Sequence, residues 1–364
     1  MSATTCRRGN ASAMARPVAI RQRGAALFLV LLLIVIGTGI VFVSRLKSAD
    51  VELEAQRKTA AALAEAKQAL LGYAASDANR PGSLPCADVD NDGDTTIGVD
   101  FSCVPQVIGR VPWKLLGLTD LRDGNGERLW YAVSPDFRAF LNPVTHPLNS
   151  KVAGQITLRN SSGTIVNDAG ATPSTGVVAV IVAPGAVLTR QGTGVPQDRS
   201  CNGGGGCTTD LRCQVPYQSV AMCNPINYLD AVMFEDNANF IADTSTNGLV
   251  YGPVTNSTGA TLLNDRVLAI TQSDLNTVIT LRMARELSQH AYGPGGVGTP
   301  GVTTVASIPP SDKPPVWVQN QWDNAVDTAA SGVTGSTITL KFVSCGIVYT
   351  ITGPNAVTRS AGSC

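Results

Sequence analysis

Histidine is nearly absent: His146 and His290 are the only two in 364 residues. His146 sits in a Thr-His-Pro turn, and His290 falls near an expected helix end, where a cation suits the dipole, so both read as structural. No G-x-S-x-G, H-E-x-x-H or P-loop pattern occurs, and the Gly203–Gly206 run lacks the Lys-Ser/Thr that would cradle a phosphate. Catalysis therefore has little support, and the chain reads as something other than an enzyme. Charge is also scarce, at 15% against the usual quarter, and the formal net charge is zero. No long-range field selects nucleic acid as a partner. Aromatics are few, at 5%, and there is no solenoid-type repeat. Apolar residues still make up 44%, which excludes a disordered chain, and 36 Gly with 21 Pro fit a turn-rich, strand-containing exported domain.

The scarce charge is unevenly placed. Residues 1–24 carry Arg7, Arg8, Arg16, Arg21 and Arg23 and no acid; taking those five from 27 basic residues leaves 22 against 27 acidic ones. A basic head on a mildly acidic body reads as a targeting segment joined to a translocated domain. Residues 25–43 (AALFLVLLLIVIGTGIVFV) contain no charge. As a helix they would span about 28 Å, close to the hydrocarbon thickness of a bilayer, and their Leu, Ile, Val and Phe residues favour insertion by roughly 4 to 8 kcal/mol. The run is too long for a cleaved secretory signal, and the arginines before it place the N-terminus in the cytoplasm and everything after about Ser44 outside.

Helix propensity continues past this run. Residues 44–78 are rich in Ala, Leu, Glu, Lys, Gln and Arg, and no proline occurs between Pro17 and Pro81. Leu46, Leu53, Ala60, Leu63, Leu70 and Ala74 form an apolar stripe, Glu54 and Lys58 pair at four-residue spacing, and Arg80-Pro81-Gly82 ends the run. One helix over 25–78, about 80 Å long, is expected. Its weak points are Gly37 and Gly39.

Beyond it, Arg128–Val133, Gly154–Arg159, Gly163–Val166, Gly176–Ala183, Asp265–Thr271, Thr337–Val343 and Ile347–Ile351 read as strands. The near-continuous apolar run Gly176–Ala183 suits a central strand buried on both faces. A short helix is expected within Asn227–Ala242, and a second over 274–291 capped by Ser273 or Asp274. Residues 293–315 form a Gly/Pro-rich connector. The expected fold is α+β: a long N-terminal helix packed on a strand-rich, disulfide-stapled domain. The leader occupies 1–24, the membrane half of the helix 25–43, the amphipathic half 44–78 and the periplasmic domain 79–364.

Nine cysteines are present. Cys6 lies in the head. Cys86, Cys103, Cys201, Cys207, Cys213, Cys223, Cys345 and Cys364 form an even set that suggests up to four disulfides in an oxidising compartment, reduced thiols being the alternative. The four at 201–223 allow three connectivities or a zinc site, although they contain no C-x-x-C. Cys86 and Cys103 bracket Asp88-Val89-Asp90-Asn91-Asp92-Gly93-Asp94, and a bond between them would staple that loop. Carboxylates at alternating positions before a glycine open a calcium loop, so Asp88, Asp90, Asp92 and Asp94 are candidate Ca2+ ligands. It is not an EF-hand, because Val99 stands where the twelfth-position glutamate belongs. A merely solvated acidic turn is the competing reading.

The order of basic leader, Gly24, immediate apolar stretch and long amphipathic helix resembles type IV pilins and type II secretion pseudopilins. The resemblance implies prepilin peptidase cleavage between Gly24 and Ala25, N-methylation of Ala25, and assembly with other pilin-like subunits through the N-terminal helix at the bacterial inner membrane. That family usually carries glutamate five residues after the cut, where this chain has Leu29, which suggests a minor or tip-like subunit. Asp123, Gly126 and Tyr131 resemble the Asp-x-x-Gly-x-x-x-x-Tyr segment of pseudopilins, in which a turn leads into a strand, and Ser134-Pro135 follows as it often does there. The acidic loop loosely resembles pseudopilin calcium loops. A Cys345–Cys364 bond would resemble the disulfide-bounded C-terminal region of many pilins.

Overall fold

The computed structural model describes residues 23–95, 97–98, 103, 108–172, 174–191, 194–199, 224–240 and 248–364, with the backbone alone for 23–27 and 37–49. Two units separate, residues 1–53 and 54–364. Helix α1 runs Arg23–Ser76. In the first unit, Phe28 to Ile36 are all exposed. The expected span 25–43 falls partly outside the residues whose side chains are described; among the described residues, no helix is long and apolar enough to cross a membrane.

The larger unit mixes helix and sheet. Its strands begin with β1 (Gly109–Arg110), β2 (Trp130–Val133), β3 (Thr157–Arg159), β4 (Ile165–Asn167) and β5 (Ala179–Ala183). Next come β6 (Ala231–Val232), β7 (Glu235–Asp236), β8 (Gly248–Val250), β9 (Val254–Thr255), β10 (Thr261–Leu263) and β11 (Arg266–Ile270). Helices α2 (Gln272–His290) and α3 (Pro315–Gln319) precede the closing strands β12 (Gly332–Thr334), β13 (Thr337–Lys341), β14 (Val348–Gly353) and β15 (Ala356–Arg359).

The central antiparallel sheet has the order β1-β2-β5-β11. Every residue of β5 is buried, because both of its faces are covered. Tyr131, Val133, Ala179 and Ile181 point into one core with Ala62, Leu63, Ala66, Leu70, Leu71 and Ala74 of α1. Those α1 positions recur every three or four residues, the spacing that puts them on one face. Trp130, Ala132, Val180 and Val182 point the other way, against Ile156, Tyr228, Phe240 and Leu249. Each fully buried aliphatic side chain contributes about 1.5 to 3 kcal/mol, so β5 is the centre of gravity of the domain. The two-residue alternation of a strand thus feeds two cores from one apolar run.

The second sheet, β12-β13-β14-β15, is an antiparallel meander. Ile338, Leu340, Phe342, Tyr349 and Ile351 face the same core as Trp317, Trp322 and Met283 of α2. The connector 293–315 buries Val305 and Ile308 in that core rather than standing away from it.

Two expectations are corrected. The helix expected within 227–242 is, over its described residues, two 3-10 turns (Pro225–Asn227 and Asn237–Asn239) flanking the β6–β7 hairpin. Asp236 competes for the backbone there, its Oδ1 accepting the Ala238 N–H at 2.9 Å, while Asn237 Oδ1 is held by β8, accepting the Val250 N–H at 2.8 Å. The cap of α2 is Thr271, not Ser273 or Asp274: the Asp274 N–H donates to the Thr271 hydroxyl and the Thr271 N–H to the Asp274 carboxylate, a reciprocal capping box. Lys67 of α1 reaches the same carboxylate at 2.8 Å, tying the two helices together.

The turn at Asp123–Gly126 leads into β2 and presses against α1. Asp123 is fully buried and accepts the N–H groups of Asn125, Glu127 and Gly185. The Gly124 N–H donates to the Thr59 hydroxyl at 2.9 Å, and a Cβ at Gly124 would stand 2.1 Å from the Ala55 carbonyl oxygen. Gly124→Ala is therefore expected to destabilise the domain by about 1 to 3 kcal/mol, because helix backbone and not a flexible side chain must retreat. A urea titration of the variant checks this; an unchanged midpoint would show that α1 yields freely.

Candidate metal centre

The acidic loop follows the exit of α1. Asp88 forms an antiparallel bridge with Arg110 at the edge of the central sheet, its N–H donating to the Arg110 carbonyl at 2.9 Å and the Arg110 N–H returning at 2.5 Å. The chain then doubles back through Asn91 and Gly93, both with positive φ (62° and 90°). Gly93 is needed twice over, since a Cβ there would also lie 2.6 Å from the Trp113 ring. The loop is held by its neighbours. The Gly93 N–H donates to Asp88 Oδ2 at 2.9 Å, the Lys114 N–H to the Gly93 carbonyl at 2.8 Å, and Arg128 Nη1 to Asn91 Oδ1 at 2.8 Å. Lys114 Nζ bonds the Asp92 carbonyl, and the Thr95 hydroxyl closes the neck on the Cys86 carbonyl at 2.9 Å.

One carboxylate oxygen from each of Asp88, Asp90 and Asp92 lies within 4.8 Å of the others, grading from buried through half-buried to exposed. Asp94, expected with them, does not converge: alternation would place it on the same side, but its Oδ1 accepts the Thr95 N–H at 2.8 Å instead. Asp88 is 1% exposed, and its Oδ1 accepts no hydrogen bond. Burial pushes its carboxyl up to about 7, with the Gly93 N–H favouring the charge and the Asp90 carboxylate opposing it. Arg110, bridged to Asp88 through the backbone, is clamped between Trp130 and Tyr228, its guanidinium carbon 4.0 and 4.2 Å from the two ring centroids, and its Nε is buried without a hydrogen-bond partner. Three oxygen ligands at this spread, open to water on one side, have the chemistry of a hard-cation site.

Cys86 is bonded to Cys103, stapling this loop, and Cys345 to Cys364. Cys201, Cys207, Cys213 and Cys223 lie outside the described residues, as does Val99. Gly24 and Ala25 fall in α1 with only their backbone described. His146 is exposed, beside the Thr145 hydroxyl at 2.9 Å; His290, in the last turn of α2, contacts the Glu286 carbonyl at 3.1 Å.

A second acidic constellation escaped the sequence reading. Asp230 and Asp265 are both fully buried. Asp230 accepts Gln197 Nε2 at 3.0 Å and the Asn264 N–H at 2.7 Å; Asp265 Oδ2 accepts the Asp230 N–H and Asn237 Nδ2, each at 2.9 Å. Asp265 Oδ1 accepts none. The available signal was an acid set among apolar residues, in Tyr228-Leu229-Asp230-Ala231-Val232. No family model, curated protein or solved structure matches the chain.

Proposed function

We propose that this chain is a structural subunit of a pilin-like filament, a type IV pilus or type II secretion pseudopilus, in a minor or tip position. In this reading the helix anchors it in the bacterial inner membrane, with the N-terminus cytoplasmic and the domain periplasmic. Prepilin peptidase cuts after Gly24, and the freed apolar helix packs against sister subunits.

The observation that carries the reading is Gly24 followed at once by the uncharged run 25–43, of which Phe28 to Ile36 stand exposed in α1. Such a row of exposed apolar side chains is unfavourable in water and calls for lipid or like helices around it. The amphipathic stripe of α1 over Ala62–Ala74, packed on the disulfide-bonded domain, supports the same reading.

Mass spectrometry of material from the native envelope tests it. The expected mature chain begins at Ala25 with a methylated amine. A chain retaining residues 1–24, or cut elsewhere, overturns the reading. One observation favours a second reading: Leu29 replaces the glutamate that the resemblance leads one to expect. A plain single-pass anchor carrying a periplasmic binding domain predicts the uncleaved chain and no sister subunits in cross-linked complexes.

A further inference from the structure

We infer that Asp230 and Asp265 are a proton-held latch: with a proton on the pair the β6–β7 hairpin stays docked, and once both carboxyls ionise it opens. The inference is independent of the filament reading. Geometry carries it. Asp265 directly precedes β11, the edge strand of the central sheet. Its Oδ2 accepts the Asp230 N–H, just before β6, and Asn237 Nδ2, just after β7, each at 2.9 Å, so one carboxyl clasps both ends of the hairpin. Both acids are wholly buried, and Asp265 Oδ1 has no donor. Among the described residues no cation bonds to either carboxylate. Arg199 faces both, but its Nη1 goes to the Tyr228 carbonyl at 3.1 Å and its Nη2 to the Gly185 carbonyl at 3.2 Å and Gln197 Oε1 at 2.9 Å. The hairpin's own acids are answered elsewhere: Glu235 meets Arg159 at 3.2 Å, and Asp236 meets Arg190. Two negative charges here would repel each other in a dry interior with no bonded cation to offset them.

Little apolar surface holds the hairpin against them. Val232 packs with Val250, Val254 and Leu263 in a small cluster separate from the two main cores. At the tip, Met233 is 99% exposed, and Phe234 lies exposed over the 160–163 turn, where a Cβ on Gly163 would stand 3.3 Å from its ring. A segment with so few buried apolar contacts opens locally, without unfolding the sheet beneath it. Burial pushes the Asp230 carboxyl up to about 6 and the Asp265 carboxyl, which Asp230 also repels, well above the ordinary range; Arg199 opposes both shifts. In an opened hairpin both would return to about 4. Docking is therefore at full strength below about pH 4 and weakens as pH rises through 6. Opening lifts Phe234 from the turn and bares Val232 beside Met233, so the device exposes an apolar tip as the medium goes from acid to neutral.

The test is hydrogen–deuterium exchange, read by mass spectrometry, on the full chain in detergent with its disulfides intact. It runs from about pH 5 to pH 8, with rates corrected for the intrinsic pH dependence of amide exchange. Protection over residues 231–236 should fall at least about tenfold across that range. Urea at about 1 M should leave that exchange unchanged while accelerating exchange in α2, the mark of local rather than global opening. The double variant Asp230→Asn/Asp265→Asn should hold the same protection at both ends of the range. Where that variant does not fold, the pH and urea dependence of the native chain still decides. Hairpin protection that does not change with pH overturns the latch. So does hairpin exchange that urea accelerates as much as in α2, or an undiminished pH dependence in the double variant.

Discussion

Arg80→Ala is expected to cost the domain about 3 to 5 kcal/mol, the largest loss of any single substitution at the exit of α1. Arg80 is 2% exposed. Its Nε donates to the His146 carbonyl at 2.8 Å, Nη1 to the Arg138 carbonyl at 2.9 Å and Nη2 to the Asp136 carbonyl at 2.5 Å. Burial brings the guanidinium down to about 10, with Asp136 and Asp77 pulling the other way, so it stays charged at neutral pH. The fork therefore ties two stretches of backbone, at 136–138 and at His146, to the point where the chain leaves the helix. Asp77 completes the junction, accepting the N–H groups of Asn79 and Arg80 and the Ser83 hydroxyl. Alanine would strand three carbonyls in an interior that water reaches poorly. Lysine, with one compact ammonium on a flexible stem, should restore only part of the loss. The check is the urea midpoint at constant m-value. A drop below about 1 kcal/mol would mean that water replaces the fork and that the junction is softer than its geometry suggests.

The sequence makes legible whatever local chemistry decides, and much less of what pairing over distance decides. Thr337–Lys341 alternates Ile338 and Leu340 with polar neighbours, and that alternation is its burial pattern. The unbroken Val-Ile-Val of Ala179–Ala183 announced a strand covered on both faces, because polar residues have no place there. The Asp88, Asp90, Asp92 convergence was readable from spacing. The depth of Asp88 was not, since it depends on a bridge to Arg110, a residue 22 positions later. The parallel pairing of β3 with β8, across some 90 residues, leaves no local trace. The stretch 225–239 misled for a definite reason. Its apolar content suits a helix, but Asp236 takes the local Ala238 N–H, while Asp230 and Asn237 turn their side chains to the N–H groups of the distant Asn264 and Val250.

The same acids set up the second large effect. Asp265→Asn is expected to stabilise the domain near pH 8 and to change it little near pH 4. Burial pushes the Asp265 carboxyl well above its ordinary range, and the neighbouring Asp230 adds to the shift; the amide of Asn237, the Asp230 N–H and the Arg199 guanidinium oppose it. Asp230 itself is pushed up to about 6, again chiefly by burial, against the Asn264 N–H, Arg199 and Gln197. Both folded values lie above the unfolded value of about 4, so between them the folded state holds more protons than the unfolded chain. Stability must then fall as pH rises through that window, and the penalty is complete above the folded values. Asparagine keeps an acceptor for the Asp230 N–H and the Asn237 amide and puts a neutral donor where Asp265 Oδ1 has no partner. Urea midpoints measured from about pH 4 to pH 8 should decline in the native sequence and decline less in the variant, where, of the pair, only the buried Asp230 still titrates. Parallel curves would mean that Asp265 is already ionised in the fold, matched by a positive group, and the argument from its burial would fail.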